Sequence, residues 1–245
     1  MSDHSRVCSY HVEPTFSLKH HRSCAVHGGD GFAFVIHAND KNATGAIGGD
    51  GQDLGYGGIS NSIAVEFDMW TNVDTQGSND IFHDHVSIHS ASVHPNSPEA
   101  STALGYSRAA DLADGNVHTV RIQYLSYLET KYFDQMTAND NLLPYLKDNG
   151  EGRRLGTLAV FLNEGIEGDK PLLAIPLNLS VLLDLPQSLA YAGFTAATGR
   201  NWEKHDIISW HWCETGSCVK DYEAKSRFSE TESYANQTNT SNLNS

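Results

Sequence analysis

The sequence predicts an all-β fold, a sandwich of antiparallel sheets. Most of the apolar pattern between Gly28 and Trp212 alternates with a period of two residues, which is typical of half-buried strands. The alternating runs are rich in β-branched and aromatic residues, and turns rich in Gly, Asn and Asp separate them. No long amphipathic helix competes with these runs, which disfavours a parallel sheet of βαβ units.

The predicted strands follow from this alternation. In 118–124 (HTVRIQY), Thr, Arg and Gln alternate with His, Val, Ile and Tyr, so one face of the strand is less polar than the other. We also expect one strand within 13–27 and a helical turn or two around 179–185, whereas 98–113 is ambiguous. The remaining predicted strands are 32–36, 62–70, 85–88, 157–162, 190–195 and 207–212.

The charge balance excludes two classes of partner. The chain has 245 residues, with 16 Lys and Arg against 30 Asp and Glu, which gives a net charge of −14. A surface this acidic repels phosphates, so it excludes non-specific binding to nucleic acid and to anionic membranes. The sequence also lacks a run of about 18 apolar residues, so we expect no direct membrane insertion.

The cysteines and the chain ends leave the compartment open. The pairing nearest in sequence joins Cys8 with Cys24 and Cys213 with Cys218, and free thiols in a reducing compartment are the alternative. The first residues show no secretory signal. Residues 215–245 fill with Ser, Thr and Asn, so we expect a tail or linker there. N-glycosylation sequons, which add little because chance would produce a similar number, begin at Asn42, Asn178, Asn236 and Asn239.

The most informative segment is the predicted strand 62–70. Alternation places Glu66, Asp68 and Trp70 on the face opposite the apolar side chains, with the two carboxylates about 7 Å apart. Such a pair of like charges needs a proton or a cation to relieve it. The further candidate ligands that follow are Asn72, Asp74, Asn79, Asp80, His83, Asp84 and His85.

These residue types indicate which ions are suitable. Oxygen ligands favour Ca²⁺, and carboxylates with one histidine suit Mn²⁺ or another transition ion. The alternative is a solvated acidic loop beside an edge strand, because Asp and Asn are ordinary loop residues.

The chain resembles the legume-type (L-type) lectins. The resemblance implies a concanavalin A-like jelly roll of two antiparallel sheets, with a dinuclear metal site beneath a shallow sugar pocket. It assigns 28–214 to the lectin-like domain and 1–27 to a shortened N-terminal segment. The matching segments, in the family's order, are GGDGFAFVI (28–36), LGYGGI (54–59), AVEFDMWTN (64–72), DIFHDHVSI (80–88), GNVHTVRIQY (115–124), and AYAGFTAATG with EKHDIISWHW (190–212).

The resemblance also implies metal-site roles. Asp68 and Asp80 would bridge the transition ion and Ca²⁺, and Ca²⁺ would also take the Trp70 carbonyl and the Asn72 side-chain oxygen. His83 or Asp84 are alternative ligands if the loop shifts. The expected ligands of the transition ion are Glu66, Asp68, Asp80 and His85.

The implied sugar pocket centres on Asp30. The peptide bond before it is expected to be cis, and its carboxylate would accept hydrogen bonds from two sugar hydroxyls. Asn72 would donate an amide hydrogen, Gly55 would donate a backbone N–H, and the Trp70 ring would cover an apolar sugar face. The loop 199–201, with Gly199 and Arg200, aligns with the family's specificity loop.

Three features depart from the family. The separation of Asp68 from Asp80 is a few residues longer than in plant members. The segment before the GGDG motif is short, so we expect a fragment or a shortened chain that lacks part of one sheet edge. The stretch 130–156 matches the family poorly and is expected to form a hairpin insertion.

The resulting hypothesis is non-catalytic binding of glycans or glycoproteins that depends on Ca²⁺ and Mn²⁺, in a secreted, extracellular or lumenal protein. Assembly as a homo-oligomer is left open, because the sequence identifies no dimer face. One rival is a glycoside hydrolase of related jelly-roll fold, but Trp70 and Asn72 stand where its second Glu is expected. The other rival is a degenerate structural or interaction module of the same fold that no longer binds sugar.

Overall fold

The computed structural model describes residues 15–21, 28–38, 45–73, 79–80, 82–109, 111–136, 139–146, 155–185, 189–199, 202–214 and 217–218. Within these ranges the chain is built mainly of antiparallel strands. The strands are β1 (Thr15–His21), β2 (Gly31–His37), β3 (Ser62–Asp68), β4 (His85–His89), β5 (Gly105–Arg108), β6 (Val117–Leu125), β7 (Gly156–Leu162), β8 (Leu173–Leu177), β9 (Tyr191–Ala197), β10 (Lys204–His211), β11 (Cys213–Glu214) and β12 (Ser217–Cys218).

Ten of these strands form two five-stranded sheets. The front sheet has the order β5-β4-β3-β2-β9, with β3 in the middle, and the back sheet has the order β10-β1-β6-β7-β8. All neighbouring strands in both sheets are antiparallel. The all-β prediction is therefore confirmed, and so is the strand expected within 13–27, which lies between β10 and β6.

The core lies between the two sheets. Along β3, Ile63, Val65 and Phe67 are buried in it, as the alternation predicts. Phe16 of β1 packs edge-on against Phe67 of β3, with ring centroids 5.8 Å apart, so the back sheet contacts the front sheet directly. Edge-to-face ring pairs of this kind add to the stability gained by burial.

Two strands and one insertion differ from the sequence predictions. β8 was not predicted because Pro176 interrupts its pattern, and it lies at a sheet edge, where proline is tolerated. β5 has only four residues, and it lies in the segment 98–113 that was ambiguous. The predicted hairpin insertion in 130–156 is wrong in its described part, which forms 3-10 helices at Thr130–Gln135 and Asp140–Tyr145.

The remaining regular elements are short. Helix α1 (Glu164–Glu167) and helix α2 (Leu179–Leu182) have four residues each, and α2 confirms the predicted turn near 179–185. Further 3-10 helices span Gly51–Asp53 and Ala100–Thr102. In the part of the chain that the structure describes, no helix is both long enough and apolar enough to cross a membrane.

The cysteine prediction is partly answered. Cys213 is disulfide-bonded, so a free thiol at this position is wrong. In the β11–β12 hairpin its backbone lies opposite Cys218, the predicted partner. Cys8, Cys24 and the tail from 219 onward lie outside the described residues.

Candidate functional site

One row of the front sheet brings the candidate residues together. Gly31 of β2 lies between Ala197 of β9 and Asp68 of β3. Asp68 in turn lies opposite His85 of β4. Because the row is at the ends of four neighbouring strands, the loops that continue from these strands meet at one edge of the sheet.

Glu66, Asp68 and His85 form a buried cluster on the face of the front sheet that points away from the core. Each offers one ligand atom, and these atoms all lie within 4.8 Å of one another. All three are at most 5% exposed, and β3 is the central strand of its sheet. The alternative of a solvated acidic loop beside an edge strand is therefore wrong for the two carboxylates.

Burial and electrostatic repulsion act together at Asp68. Burial, and then the charges of Glu66 and Asp80, raise the pKa of Asp68 well above its ordinary value. The Trp70 N–H donates to Asp68 Oδ1 at 2.7 Å, which offsets part of this effect. Burial alone would raise the pKa of Glu66 too, but His89 and His85 together lower it. A cation beside Asp68 would relieve the repulsion directly.

Two hydrogen bonds join Asn72 and Asp80. The Asn72 N–H donates to Asp80 Oδ2 at 2.6 Å, and the Asp80 N–H donates to the Asn72 carbonyl at 3.0 Å. Asp80 lies outside the group of mutually close ligand atoms, although its charge acts on Asp68 and His85. The side-chain oxygen Asn72 Oδ1 is buried and accepts no hydrogen bond in the described structure.

Asp30 lies beside this cluster at the start of β2. The Gly29–Asp30 peptide bond is cis, as the resemblance implied. The Asp30 N–H donates to the Ala197 carbonyl, and the Asp30 carbonyl accepts from the Met69 N–H, so the backbone is held on both sides. Asp30 is 6% exposed, and its Oδ2 has no hydrogen-bond partner among the described residues. Burial, and then the charge of Asp50, raise the pKa of Asp30 to about 6.

Glycines leave space around the Asp30 carboxylate. A methyl group added to Gly199 would lie 2.8 Å from Asp30 Oδ2 and 3.2 Å from Oδ1. One added to Gly51, in the loop 45–61, would lie 3.9 Å from Oδ2. Two loops therefore approach the carboxylate with bare backbone, which a small ligand can contact closely.

The arrangement can be compared with known proteins. A sequence model of the legume lectin domain matches residues 1–227. The chain belongs to the legume lectin domain family. A probable L-type lectin-domain containing receptor kinase, VII.2, from Arabidopsis thaliana is 28% identical over 201 residues, which are 79% of this chain. The chain spans only about a quarter of that relative, 25% of its length.

Solved structures of lectins share the fold. A lectin from Bauhinia forficata, in complex with GalNAc, gives a TM-score of 0.55 at 19% identity, covering 84% of this chain and 74% of that one. The metal-free form of lectin I-B4 from Griffonia simplicifolia gives 0.53 at 19% identity, covering 86% and 75%. The fold of this lectin domain is therefore the legume-lectin jelly roll.

The other predicted site residues lie as follows in the lectin domain. His83 has a side chain 49% exposed that pairs with Asp84 at 3.3 Å, so His85 is the histidine in the cluster. The Gly55 N–H, which the resemblance assigned to the sugar, donates to the Gly49 carbonyl at 2.9 Å, so a ligand would have to displace that bond. Trp70 is half-buried, packed with its Cβ against Gly29. Asp74 and Arg200 lie outside the described residues.

Sequence reasoning missed three buried residues of the lectin domain that contact Glu66. They are Tyr56, which donates to Glu66 Oε2, Ser87, which donates to Oε1, and His89, whose Nε2 is 3.7 Å from Oε1. Ser87 and His89 could have been found, because they follow His85 by two and four residues on the same face of a strand. Tyr56 gave no such signal, since its position depends on the path of a glycine-rich loop.

The donor set of the lectin domain fits metal ions. Buried oxygens from Glu66, Asp68 and Asp80 with one imidazole suit Mn²⁺ or a similar transition ion, and oxygens alone suit Ca²⁺. Within the described residues, Asn72 Oδ1 is buried and makes no hydrogen bond. Buried polar atoms without partners are uncommon and indicate a missing ion, water or ligand.

Proposed function

We propose that this lectin domain binds carbohydrate non-catalytically at Asp30 and that binding depends on cations held by the adjacent acidic cluster. The observation that carries the proposal is Asp30 Oδ2, a buried carboxylate oxygen without a partner in the described structure, between Gly51 and Gly199. A charged oxygen in this position accepts hydrogen bonds from hydroxyl groups strongly.

Each candidate residue has a distinct role in the proposal. Asp30 accepts hydrogen bonds from two sugar hydroxyls, and the Trp70 ring covers an apolar face of the sugar. The Asn72 amide group faces the sugar with its nitrogen. Gly199 borders the Asp30 carboxylate, and the loop that carries Gly55 borders the sugar on another side. Arg200, which the resemblance assigns to the specificity loop, is a further candidate sugar contact. The residue types favour a small polyhydroxylated ligand over an extended apolar one.

The metal part of the proposal divides the acidic residues between two ions. Glu66, Asp68, Asp80 and His85 would hold Mn²⁺ or another transition ion, and Asp68, Asp80, the Trp70 carbonyl and Asn72 Oδ1 would hold Ca²⁺. The cations supply positive charge that offsets the repulsion at Asp68. With that charge in place, these residues fix the loops that carry Asn72 and Trp70, so the pocket is preorganised.

Burial of the carboxylates argues against the hydrolase alternative. Glycoside hydrolysis needs two carboxyl groups that both reach the scissile bond. Glu66 is 1% exposed and both of its oxygens accept hydrogen bonds from hydroxyl groups, and Asp68 is 2% exposed. Neither carboxyl group is therefore positioned to act on a sugar in the pocket.

The degenerate module is disfavoured by the polar atoms that remain without partners. A site that has lost its function gains stability when such groups are replaced, because each buried unpaired polar group is destabilising. Asp30 and Asn72 both retain such a group, since Asp30 Oδ2 and Asn72 Oδ1 have no partner in the described structure. The Bauhinia forficata lectin, which shares the fold, was solved with GalNAc, and this also favours a retained sugar site.

We also propose that the domain works outside the cytosol, in a secreted, extracellular or lumenal protein. The disulfide bond at Cys213 supports this, because such bonds persist in oxidising compartments. Glycans or glycoproteins on a cell surface are suitable partners there. Homo-oligomerisation would raise the avidity of a weak site.

A glycan array with and without chelator tests the proposal. We expect signals that disappear when EDTA strips the protein and return when Ca²⁺ and Mn²⁺ are added back. Elemental analysis of the untreated protein should find about two metal ions per chain. Glycan signals that persist in EDTA would contradict the metal dependence, and an array without signal at full metal content would contradict carbohydrate binding.

A further inference from the structure

Glu66 is held by two hydroxyl groups. The Tyr56 hydroxyl donates to Glu66 Oε2 at 2.5 Å, and the Ser87 hydroxyl donates to Glu66 Oε1 at 2.9 Å. All three residues are at most 1% exposed. Both oxygens of the carboxylate are therefore fixed by donors from outside its own strand.

His89 supports Ser87 from behind. His89 Nε2 lies 2.9 Å from Ser87 Oγ. Because the single hydroxyl hydrogen of Ser87 points to Glu66, the imidazole N–H must donate to the Ser87 oxygen. The His89 ring also packs against the Tyr56 ring, with centroids 6.0 Å apart. Tyr56, Ser87 and His89 thus enclose Glu66, and we refer to these three residues as the Glu66 collar.

The collar leaves the side of Glu66 Oε1 that faces His85 available to a metal ion. Oε2 faces Tyr56, whereas Oε1 faces His85, whose Nε2 lies 3.4 Å away. His89 is 3.7 Å from Oε1, but it does not belong to the described group of ligand atoms within 4.8 Å of one another. His89 is therefore placed to act through Ser87 rather than as a metal ligand.

The collar also ties the site to the loop beside Asp30. Tyr56 lies in the loop 45–61, whose residue Gly51 approaches the Asp30 carboxylate. Within this loop the Tyr56 N–H donates to the Asp53 carbonyl, and the Gly48 N–H donates to the Gly55 carbonyl. The Tyr56 hydroxyl therefore joins an ordered loop to strand β3, which carries the acidic residues.

We propose that Tyr56, Ser87 and His89 are positioning residues of the metal site. They hold the Glu66 carboxylate so that Oε1, which faces His85 Nε2, is presented to a transition ion. The proposal rests on the metal dependence proposed above. Outer partners of this kind raise metal affinity because the ligand needs no reorientation when the ion binds.

The test compares three variants with the parent protein. Tyr56→Phe and Ser87→Ala each remove one hydroxyl group, and Tyr124→Phe is the matched control. Tyr124 is a buried tyrosine of the back sheet whose hydroxyl accepts from the Leu179 N–H, away from Glu66. Each protein is stripped with EDTA, dialysed and titrated with Mn²⁺ and with Co²⁺ by calorimetry. The visible spectrum of the Co²⁺ form reports the ligand geometry.

Tyr56→Phe and Ser87→Ala should weaken Mn²⁺ binding about 10- to 100-fold and change the Co²⁺ spectrum. Tyr124→Phe should keep the parent's affinity and spectrum. Parent-like affinity and spectrum in both collar variants would overturn the proposal while leaving the metal site intact. Equal weakening in Tyr124→Phe would also overturn it, since the effect would then be general. A parent protein that binds neither ion would instead overturn the proposed metal dependence.

Discussion

Asp30 is the residue on which the proposed sugar binding depends most. Its backbone is fixed by hydrogen bonds to Ala197 and Met69, and its side chain points into a space bounded by glycine. Nearly all of its surface is buried, yet Oδ2 has no partner in the described structure. An ionised carboxylate kept in this way is destabilising until a ligand or a cation interacts with it.

The first prediction concerns Gly199. In Gly199→Ala, the added methyl group would lie 2.8 Å from Asp30 Oδ2, so the carboxylate must move. We expect glycan binding to weaken by about tenfold or more, the effect of losing one charge-assisted hydrogen bond. The measurement is the affinity for the best ligand of the glycan array.

Gly193→Ala is the matched control for this variant. Gly193 lies on β9, and a methyl group added there meets nothing within 4 Å. It should bind sugar like the parent. If both variants keep the parent's affinity, Gly199 does not border the sugar and the pocket lies elsewhere.

The second prediction concerns pH in the metal-free protein. Burial, and then Asp50, raise the pKa of Asp30 from 3.8 to about 6, so the folded state holds this proton more tightly than the unfolded state does. The stability that Asp30 contributes is therefore present below about pH 4 and is lost as the pH rises to about 6. In EDTA, Asp30→Asn should melt a few degrees above the parent at pH 7 and close to it at pH 4.

Asp114→Asn should show the opposite trend. Burial alone would raise the pKa of Asp114, but hydrogen bonds from Asn116 and His118 together lower it. The stability that this carboxylate contributes is present above its ordinary pKa and is lost as the pH falls. Differential scanning fluorimetry from below pH 4 up to pH 7 measures both variants, because the change at Asp114 lies below its ordinary pKa of 3.8. Parallel pH profiles for Asp30→Asn and the parent would contradict the assignment to Asp30.

At the scale of the elements, the site depends on the register between neighbouring strands. Glu66 and Asp68 lie on the same side of β3 because they are two residues apart, and pairing with β4 brings His85 opposite Asp68. The carboxylate pair could be predicted from alternation alone. Its pairing with His85 came from the family resemblance, because spacing alone does not distinguish His85 from His83.

Other elements could not be predicted because tertiary contacts decide them. The strand β8 contains Pro176, and only its edge position makes that acceptable. The 3-10 helices in the predicted hairpin insertion begin at caps, where Glu129 and Asn139 accept hydrogen bonds from the backbone two residues later. Tyr56 reaches Glu66 only because a glycine-rich loop folds over the front sheet.

The third prediction tests the acidic cluster on β3. Burial, and then Glu66 and Asp80, raise the pKa of Asp68, so the charged form destabilises the metal-free protein. Asp68→Asn should therefore raise the melting temperature by a few degrees in EDTA. With Ca²⁺ and Mn²⁺ present it should melt below the parent and lose glycan binding, since the parent gains stability from bound ions. The same order of melting temperatures in both buffers would contradict the metal site.

At the scale of the whole molecule, the two faces of the front sheet have different roles, one in stability and the other in the proposed recognition of sugar. The face of the front sheet that packs on the back sheet is apolar, and the opposite face carries the acidic cluster under the loop 45–61. A change in the core between the sheets should therefore alter the free energy of unfolding without altering the site. A small cavity between the sheets makes this testable.

The last prediction concerns a substitution that fills this cavity. A cavity of about 40 Å³ lies between the sheets, and its entirely apolar lining includes Val65 and Ile63 from β3 and Ile122 from β6. Val65→Ile places one more methylene group into this space, and the side chain points away from Glu66. We expect a gain of about 0.5 to 1 kcal/mol, typical of cavity filling, which corresponds to a melting temperature about 1 to 4 °C higher.

The control for this variant is Val86→Ile. Val86 is fully buried on β4 but does not line the cavity, so the added group should overpack the core and lower the melting temperature. Glycan and metal affinities of Val65→Ile should match the parent, because the substitution leaves the outer face of β3 unchanged. A lower melting temperature in Val65→Ile would mean that the space between the sheets is already filled. A higher melting temperature with weaker sugar binding would mean that the two faces of the front sheet are coupled.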